Sequence, residues 1–181
     1  MQLGIRGAKL RMSTLLMLYI HHQPGSFADG THRALQAADG YLYLGMPDDA
    51  LKELGEVPNE DSTQATVLLA RTRVLLHLKQ WSEAEKLAAR GSETHPDHEE
   101  FTVQRAFALH QLKQGDEAMN VILQAPEWIR QTGIIHYNLA CYEAQLGDLG
   151  TARQCIKVAC QMNKAMKKNA AIDPDLRALW N

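Results

Sequence analysis

Apolar residues recur three, four or seven apart along most of the chain. Leu68, Leu75 and Leu78 fall on one helical face, as do Ala106, Leu109 and Leu112, and Leu139 and Leu146 with Ala140 alongside. That period is helical, not the two-residue alternation of a half-buried strand. Turn chemistry separates the runs. In Leu44-Gly45-Met46-Pro47-Asp48-Asp49, Gly ends one helix and Pro opens the next near its first turn. Gln114-Gly115-Asp116 and Leu146-Gly147-Asp148 place Gly where a left-handed residue would end a helix, then supply Asp as a candidate N-cap; Ser82 offers the cap after Trp81. Pro58, Pro96 and Pro126 each close the second helix of a pair, because Pro cannot continue one.

The helices come in a fixed register. Leu78-Lys79-Gln80-Trp81-Ser82-Glu83-Ala84 returns, lightly edited, as Leu112-Lys113-Gln114-Gly115-Asp116-Glu117-Ala118, an offset of 118 − 84 = 34. The same step reaches back to Ala50 and forward to Ala152. A second small-residue series, Ala38, Thr72, Ala106 and Ala140, runs at the same step. A period near 34 predicts paired helices stacked side by side. Each unit has a first helix (A) and a second (B), packed antiparallel, with a small residue from each where they cross. The expected boundaries are 31–64, 65–98, 99–132 and 133–166.

Outside the repeats, residues 1–30 read as an extension with a packing helix at 13–22 set against the first unit. The run Leu15-Leu16-Met17-Leu18-Tyr19-Ile20 is far too short to span a bilayer, and His21-His22 ends it without a small-x-small cleavage pattern. Residues 167–181 read as a capping helix: Asp173-Pro174 is a start signal, and Leu176, Leu179 and Trp180 form an apolar edge to cover the last unit.

Composition adds exclusions. At 45% hydrophobic and 22% charged the chain is an ordinary globular sequence. A net charge of −2 gives no general attraction for nucleic acid or an anionic membrane, although Arg71, Arg73 and Arg105 could form a local basic spot. Cys141, Cys155 and Cys160 are odd in number and lack CxxC spacing, which favours a reduced, cytoplasmic protein over a disulfide framework. Cys155 and Cys160 read as buried small hydrophobes.

The register and its small residues resemble the tetratricopeptide repeat (TPR), whose signature runs from an early Trp through Leu-Gly and Tyr to Ala-x3-Phe and a closing Pro. The fourth unit carries Tyr137-Asn138-Leu139-Ala140-Cys141-Tyr142-Glu143-Ala144-Gln145-Leu146-Gly147-Asp148, then Ala152 and Ile156. The first has Tyr41, Ala50 and Leu54; the second Leu75, Ala84, Ala88 and Pro96; the third Leu109, Ala118 and Ile122. The early Trp is missing, and Arg71 and Arg105 replace the usual Leu. The resemblance implies an all-α fold, a TPR-type right-handed superhelix built as an α-solenoid of antiparallel helix pairs.

It also implies a concave groove lined by the A helices, in which TPR proteins often hold extended peptides. Carried over by register, the groove set is Leu35, Asp39 and Tyr43 in the first unit and Leu69, Arg73 and His77 in the second. It continues with Val103, Phe107 and His110 in the third and Tyr137, Asn138, Cys141 and Gln145 in the fourth. Such a mixture suits an extended chain held by hydrogen bonds and side-chain pockets. Chaperone-binding members clamp a C-terminal carboxylate with Lys, Asn and Arg. Here the matching slots read Leu35, Asp39, Ala70, Glu100 and Gln104, and Asp39 would repel a carboxylate.

His95-Pro96-Asp97-His98 and His21-His22 lack nearby Cys and read as surface histidines in solvent-facing loops, not as metal sites. No phosphate-cradling Gly loop, G-x-S-x-G or H-E-x-x-H occurs in the sequence, so no catalysis and no cofactor is expected. The reading is an adaptor that binds a protein or peptide partner. The alternatives are a self-associating module forming a homodimer, and a small secretion-type chaperone.

Overall fold

The computed structural model describes residues 29–180, in which ten α-helices and one 3-10 helix follow one another with no strand. The extension and the expected helix at 13–22 lie outside these residues. The A helices are α1 (Asp29–Tyr43), α3 (Ala65–His77), α5 (Glu99–Gln111) and α8 (Gly133–Leu146). Their B partners are α2 (Pro47–Gly55), α4 (Trp81–Thr94), α6 (Gly115–Gln124) and α9 (Leu149–Met162). Each A helix packs on its own B helix, and each of the first three also packs on the next A helix, giving a stacked array of hairpins. A one-turn helix, α7 (Glu127–Arg130), sits between α6 and α8 and buries Ile129.

The small-residue register is realised in full. Ala50, Ala84, Ala118 and Ala152 are each the fourth residue of their helix, and each is 0% exposed. Ala38, Thr72, Ala106 and Ala140 are 0% exposed too. Thr72 turns its hydroxyl back onto the Leu68 carbonyl oxygen (2.8 Å), so its extra oxygen is satisfied within its own helix. At such crossings a larger side chain has no room. Ala118→Leu is therefore expected to lower stability by about 1–3 kcal/mol through overpacking, while Glu117→Leu, one residue away and exposed, should change it little. Denaturant titration of the two variants checks this.

The arginines in place of the usual Leu have structural roles. Arg71 of α3 reaches back to the Leu54 carbonyl at the end of α2 (3.1 Å), and Arg105 of α5 pairs with Glu85 of α4 (2.9 Å). Arg71 ties α3 to α2 and Arg105 ties α5 to α4, each an A helix held to the preceding B helix through a part-buried contact.

Several local expectations need correction. Gly45 (φ 73°) and Gly147 (φ 90°) do take the left-handed conformation, but Gly115 does not: it opens α6. In the second and third turns the left-handed residue is a lysine, Lys79 (φ 60°) and Lys113 (φ 65°). The three-residue turn fixes where the positive φ must fall, and a non-Gly residue there costs roughly 1–2 kcal/mol. Gln80 and Gln114, not Ser82 or Asp116, precede the B helices, and neither caps with its side chain. Asp148 is a working N-cap: it accepts from the Thr151 N–H (3.0 Å) and hydroxyl (2.7 Å), and these bonds hold its carboxyl below the usual range. Leu112 and Leu146, placed on apolar faces by periodicity, are exposed where their helices run out.

Residues 167–180 are not one helix. α10 (Met166–Ile172) stops at Asp173, and a 3-10 helix runs over Pro174–Leu179. Pro174 stands one repeat step beyond Ala140 (174 − 140 = 34). The segment thus lies where a fifth A helix would begin, and Pro174, with no N–H to donate, breaks it at that slot. Asp173 caps the new start by accepting from the Asp175 N–H (3.0 Å). Leu176 and Leu179 are buried, whereas Trp180 is half-exposed and donates its indole N–H to Ala170 (3.0 Å).

Candidate functional site

Consecutive A helices pack through matching register positions, which decides what the concave side presents. The slot series Asp39, Arg73, Phe107 and Cys141 advances by one repeat step at a time, and the next step lands on Asp175 (175 − 141 = 34). Arg73 is buried on α3 and pairs with Asp39 of α1, one repeat away. Burial lowers the guanidinium's pKa, and the Asp39 carboxylate opposes that shift. His77, a turn further along, is held below the usual imidazole value by burial and by the nearby Arg73 charge. In α5, Phe107 is half-buried and meets Trp81 edge to face, ring centroids 6.1 Å apart. Gln104 donates to the Leu69 carbonyl across the α3–α5 seam (3.3 Å).

The predicted groove residues divide by exposure. Tyr43 and Gln145 are exposed, and Asp39, Leu69, His77 and Phe107 are half-buried. Leu35, Arg73, Val103, His110, Tyr137, Asn138 and Cys141 are buried, so they are not open groove walls. Seam-facing residues are consumed by stacking: α3 and α5 each pack between two other A helices, α1 packs on α3, and α8 packs between α5 and the C-terminal 3-10 helix.

The fourth unit is closed by the chain itself. The 3-10 helix packs on α8 and α9. Tyr137 donates its hydroxyl to Asp173 (2.8 Å), and Cys141 Sγ lies within 4.8 Å of an oxygen from each of Asp173 and Asp175. Burial, followed by the two carboxylates, pushes the Cys141 thiol well up. Burial also raises Asp173, against the opposing hydrogen bond from Tyr137. His110 stacks on Tyr142 (centroids 4.5 Å apart) and is pulled below the usual imidazole range by burial, with Asp175 acting in the other direction. Asp173, Asp175 and Trp81 were absent from the predicted set. Asp175 was within reach, because the repeat step extends to it; Asp173 and Trp81 carry no such signal.

The other candidates behave differently from expectation. His95 and His98 do not face solvent freely: both are half-buried against Phe101, and His95 Nε2 lies 2.9 Å from the Thr63 carbonyl oxygen. Cys155 and Cys160 are half-buried, not fully buried.

No protein-family profile and no curated protein sequence matches the chain. Solved structures do. "MamA 41-end from Desulfovibrio magneticus RS-1" superposes with a TM-score of 0.63 at 15% identity, over 86% of this chain and 92% of that one. "MamA AMB-1 P212121" gives 0.61 at 15% identity, over 84% and 86%. YrrB, described as a TPR protein with an unusual peptide-binding site, gives 0.56 at 13% identity, over 83% and 76%. At these identities the likeness is one of fold, and the fold is that of a tetratricopeptide-repeat solenoid. Among the described residues, no helix is long and apolar enough to cross a membrane.

Proposed function

We propose that the chain is a protein-interaction scaffold that holds an extended segment of a partner along the concave side of α1, α3 and α5. The observation that carries this reading is an asymmetry in the register. Leu69 and Phe107 keep half-exposed apolar surface at slots where α8 has Tyr137 and Cys141 buried. His77 adds a half-buried imidazole on the same helix as Leu69, and Asp39 a partly exposed carboxylate held by the buried Arg73. Apolar grips spaced along neighbouring helices, with polar groups between them, suit an extended chain better than a small molecule. YrrB's description as a peptide-binding TPR protein is consistent with this. On this reading the fourth A helix is outside the groove, because the chain's own C-terminal segment lies over it.

Peptides selected from a random display library on the full chain are expected to bind about ten-fold more weakly to a His77→Ala, Phe107→Leu double variant, about 1.4 kcal/mol. Lys86→Ala, on an exposed position of α4, should leave their affinity unchanged. Fluorescence anisotropy measures both. Binders indifferent to the groove variant but sensitive to Lys86→Ala would move the working surface to the B helices.

A further inference from the structure

Among the described residues, one face of α1 is uncovered where every later A helix is covered. Arg33 and Gly40 of α1 are exposed. Their equivalents at each repeat step are buried: Val67, Phe101 and Ile135 for Arg33, and Val74, Ala108 and Tyr142 for Gly40. In those repeats the preceding B helix packs on the A helix. Ala50 shares a buried cluster with Val74, Ala84 with Ala108, and Ala118 with Tyr142. Gly40 is the member of that series on α1, and a Cβ built on it meets nothing within 4 Å. A glycine inside a helix lowers its stability relative to Ala, and a close neighbour is the reason that fits its place here.

The repeat step carries the B-helix slots back to residues 13–22, which lie outside the described residues. Ile20 stands one step before Leu54, and Ala88, Ile122 and Ile156 continue that buried series. Pro24 stands one step before Pro58, with Pro126 further along the same slot. The connection has the right length too. α2 ends at Gly55 and α3 begins at Ala65; one step back these bounds fall at 21 and 31 (55 − 34 = 21, 65 − 34 = 31), and α1 begins at Asp29. Leu16 takes the slot of the crossing alanines (50 − 34 = 16), which sets it against Gly40. We propose that residues 13–22 form a B-type helix seated on the uncovered face of α1 through Leu16, Met17 and Ile20, with Leu16 over Gly40. Those three residues share one helical face. The volumes are complementary: a large residue stands opposite glycine, where Ala stands opposite Val, Ala or Tyr in later repeats. A Leu at that slot would overpack a crossing with an A helix of its own unit, so the segment is fitted to α1. The expected packing helix thereby gains a register, a face and a partner. The chain closes both ends of the array, the last through Pro174–Leu179 and the first through this segment. This inference does not depend on the peptide groove.

Hydrogen exchange on the full chain, read by mass spectrometry, tests this. Amides of residues 13–22 are expected to exchange at least about ten-fold more slowly than in a free peptide of the same sequence. Gly40→Leu fills the open space over α1 while favouring α1 itself through helix propensity. It should nevertheless abolish the protection of residues 13–22. Adding Leu16→Ala should restore part of it, because the two volumes are then exchanged. Ile20→Ser should abolish the protection as well. Leu18→Ser should not, since Lys52, Lys86, Asn120 and Gln154 in that slot are all exposed. Unchanged protection of α8 shows that each variant is folded. Wild-type protection should be independent of protein concentration. Unprotected amides at residues 13–22 in the wild type overturn the proposal. So does protection that survives Gly40→Leu, stays lost in the double variant, follows Leu18 and not Ile20, or grows with concentration, the mark of a second copy on α1.

Discussion

Phe101→Ala is expected to destabilise the fold by about 3–5 kcal/mol, the largest single loss among these predictions. Phe101 lies in the first turn of α5 and is 0% exposed. It forms a buried cluster with Ala65 and Leu68 of α3, and the rings of His95 and His98 flank it at centroid distances of 6.3 and 6.2 Å. Its edge lies over Gly91 of α4. A Cβ built on Gly91 would stand 2.2 Å from Phe101 Cε1 and 2.3 Å from Cδ1, a distance no side chain tolerates. The ring thus fills the space that the missing Cβ leaves, and α4 and α5 approach through that fit. Gly91→Ala should therefore destabilise as well. Its gain in helix propensity, about 1 kcal/mol, is outweighed by displacement of a ring enclosed on every side, about 1–3 kcal/mol or more. Gly91→Ala combined with Phe101→Leu should recover part of the loss, since the smaller side chain vacates the colliding atoms. Denaturant melts of these variants and of Phe101→Leu alone, with hydrogen exchange on α4 and α5, read the result. Full additivity of the Gly91 and Phe101 effects would contradict the fit described.

Asp39→Ala comes next, at about 2–3 kcal/mol. It removes the only ion-pair partner that Arg73 has among the described residues. The Arg73 side chain is 8% exposed, while that of Asp39 is 34% exposed. Water already screens the carboxylate in part, which places the loss on the low side of the cost of breaking a buried pair. The damage comes from leaving the guanidinium buried and uncompensated, not from the value of the pair itself. Arg73→Met with Asp39→Ala should consequently be more stable than Asp39→Ala alone, close to wild type, because the unpaired charge is gone and the apolar stem is kept. A double variant as unstable as the single one would mean that Asp39 acts through something other than Arg73.

The residues that specify the array were legible in the sequence because stacking imposes one repeated steric requirement. A crossing admits only a small side chain, so Ala50, Ala84, Ala118 and Ala152 recur at one step and are equally buried. Gly45, Gly147 and Asp148 were readable from adjacent residues, but the same local rules misplaced the left-handed residue at Gly115 and the caps at Ser82 and Asp116. The candidate groove was only partly legible. Register named Leu69, His77 and Phe107, which stay half-exposed, in the same terms as Tyr137 and Cys141, which do not.

The difference lies in what each requirement depends on. Period and helix pairing follow from a steric requirement that repeats along the chain, so the amino-acid order alone determined them, while the residue that takes the positive φ in each turn did not follow from it. Burial of Tyr137 and Cys141 depends on a segment about one repeat away, which Pro174 breaks and folds back onto α8. Only the tertiary arrangement decided that the last A helix meets two carboxylates where the others meet a following helix, because exposure and charge balance belong to neighbours in space and not to any residue's own position in the repeat.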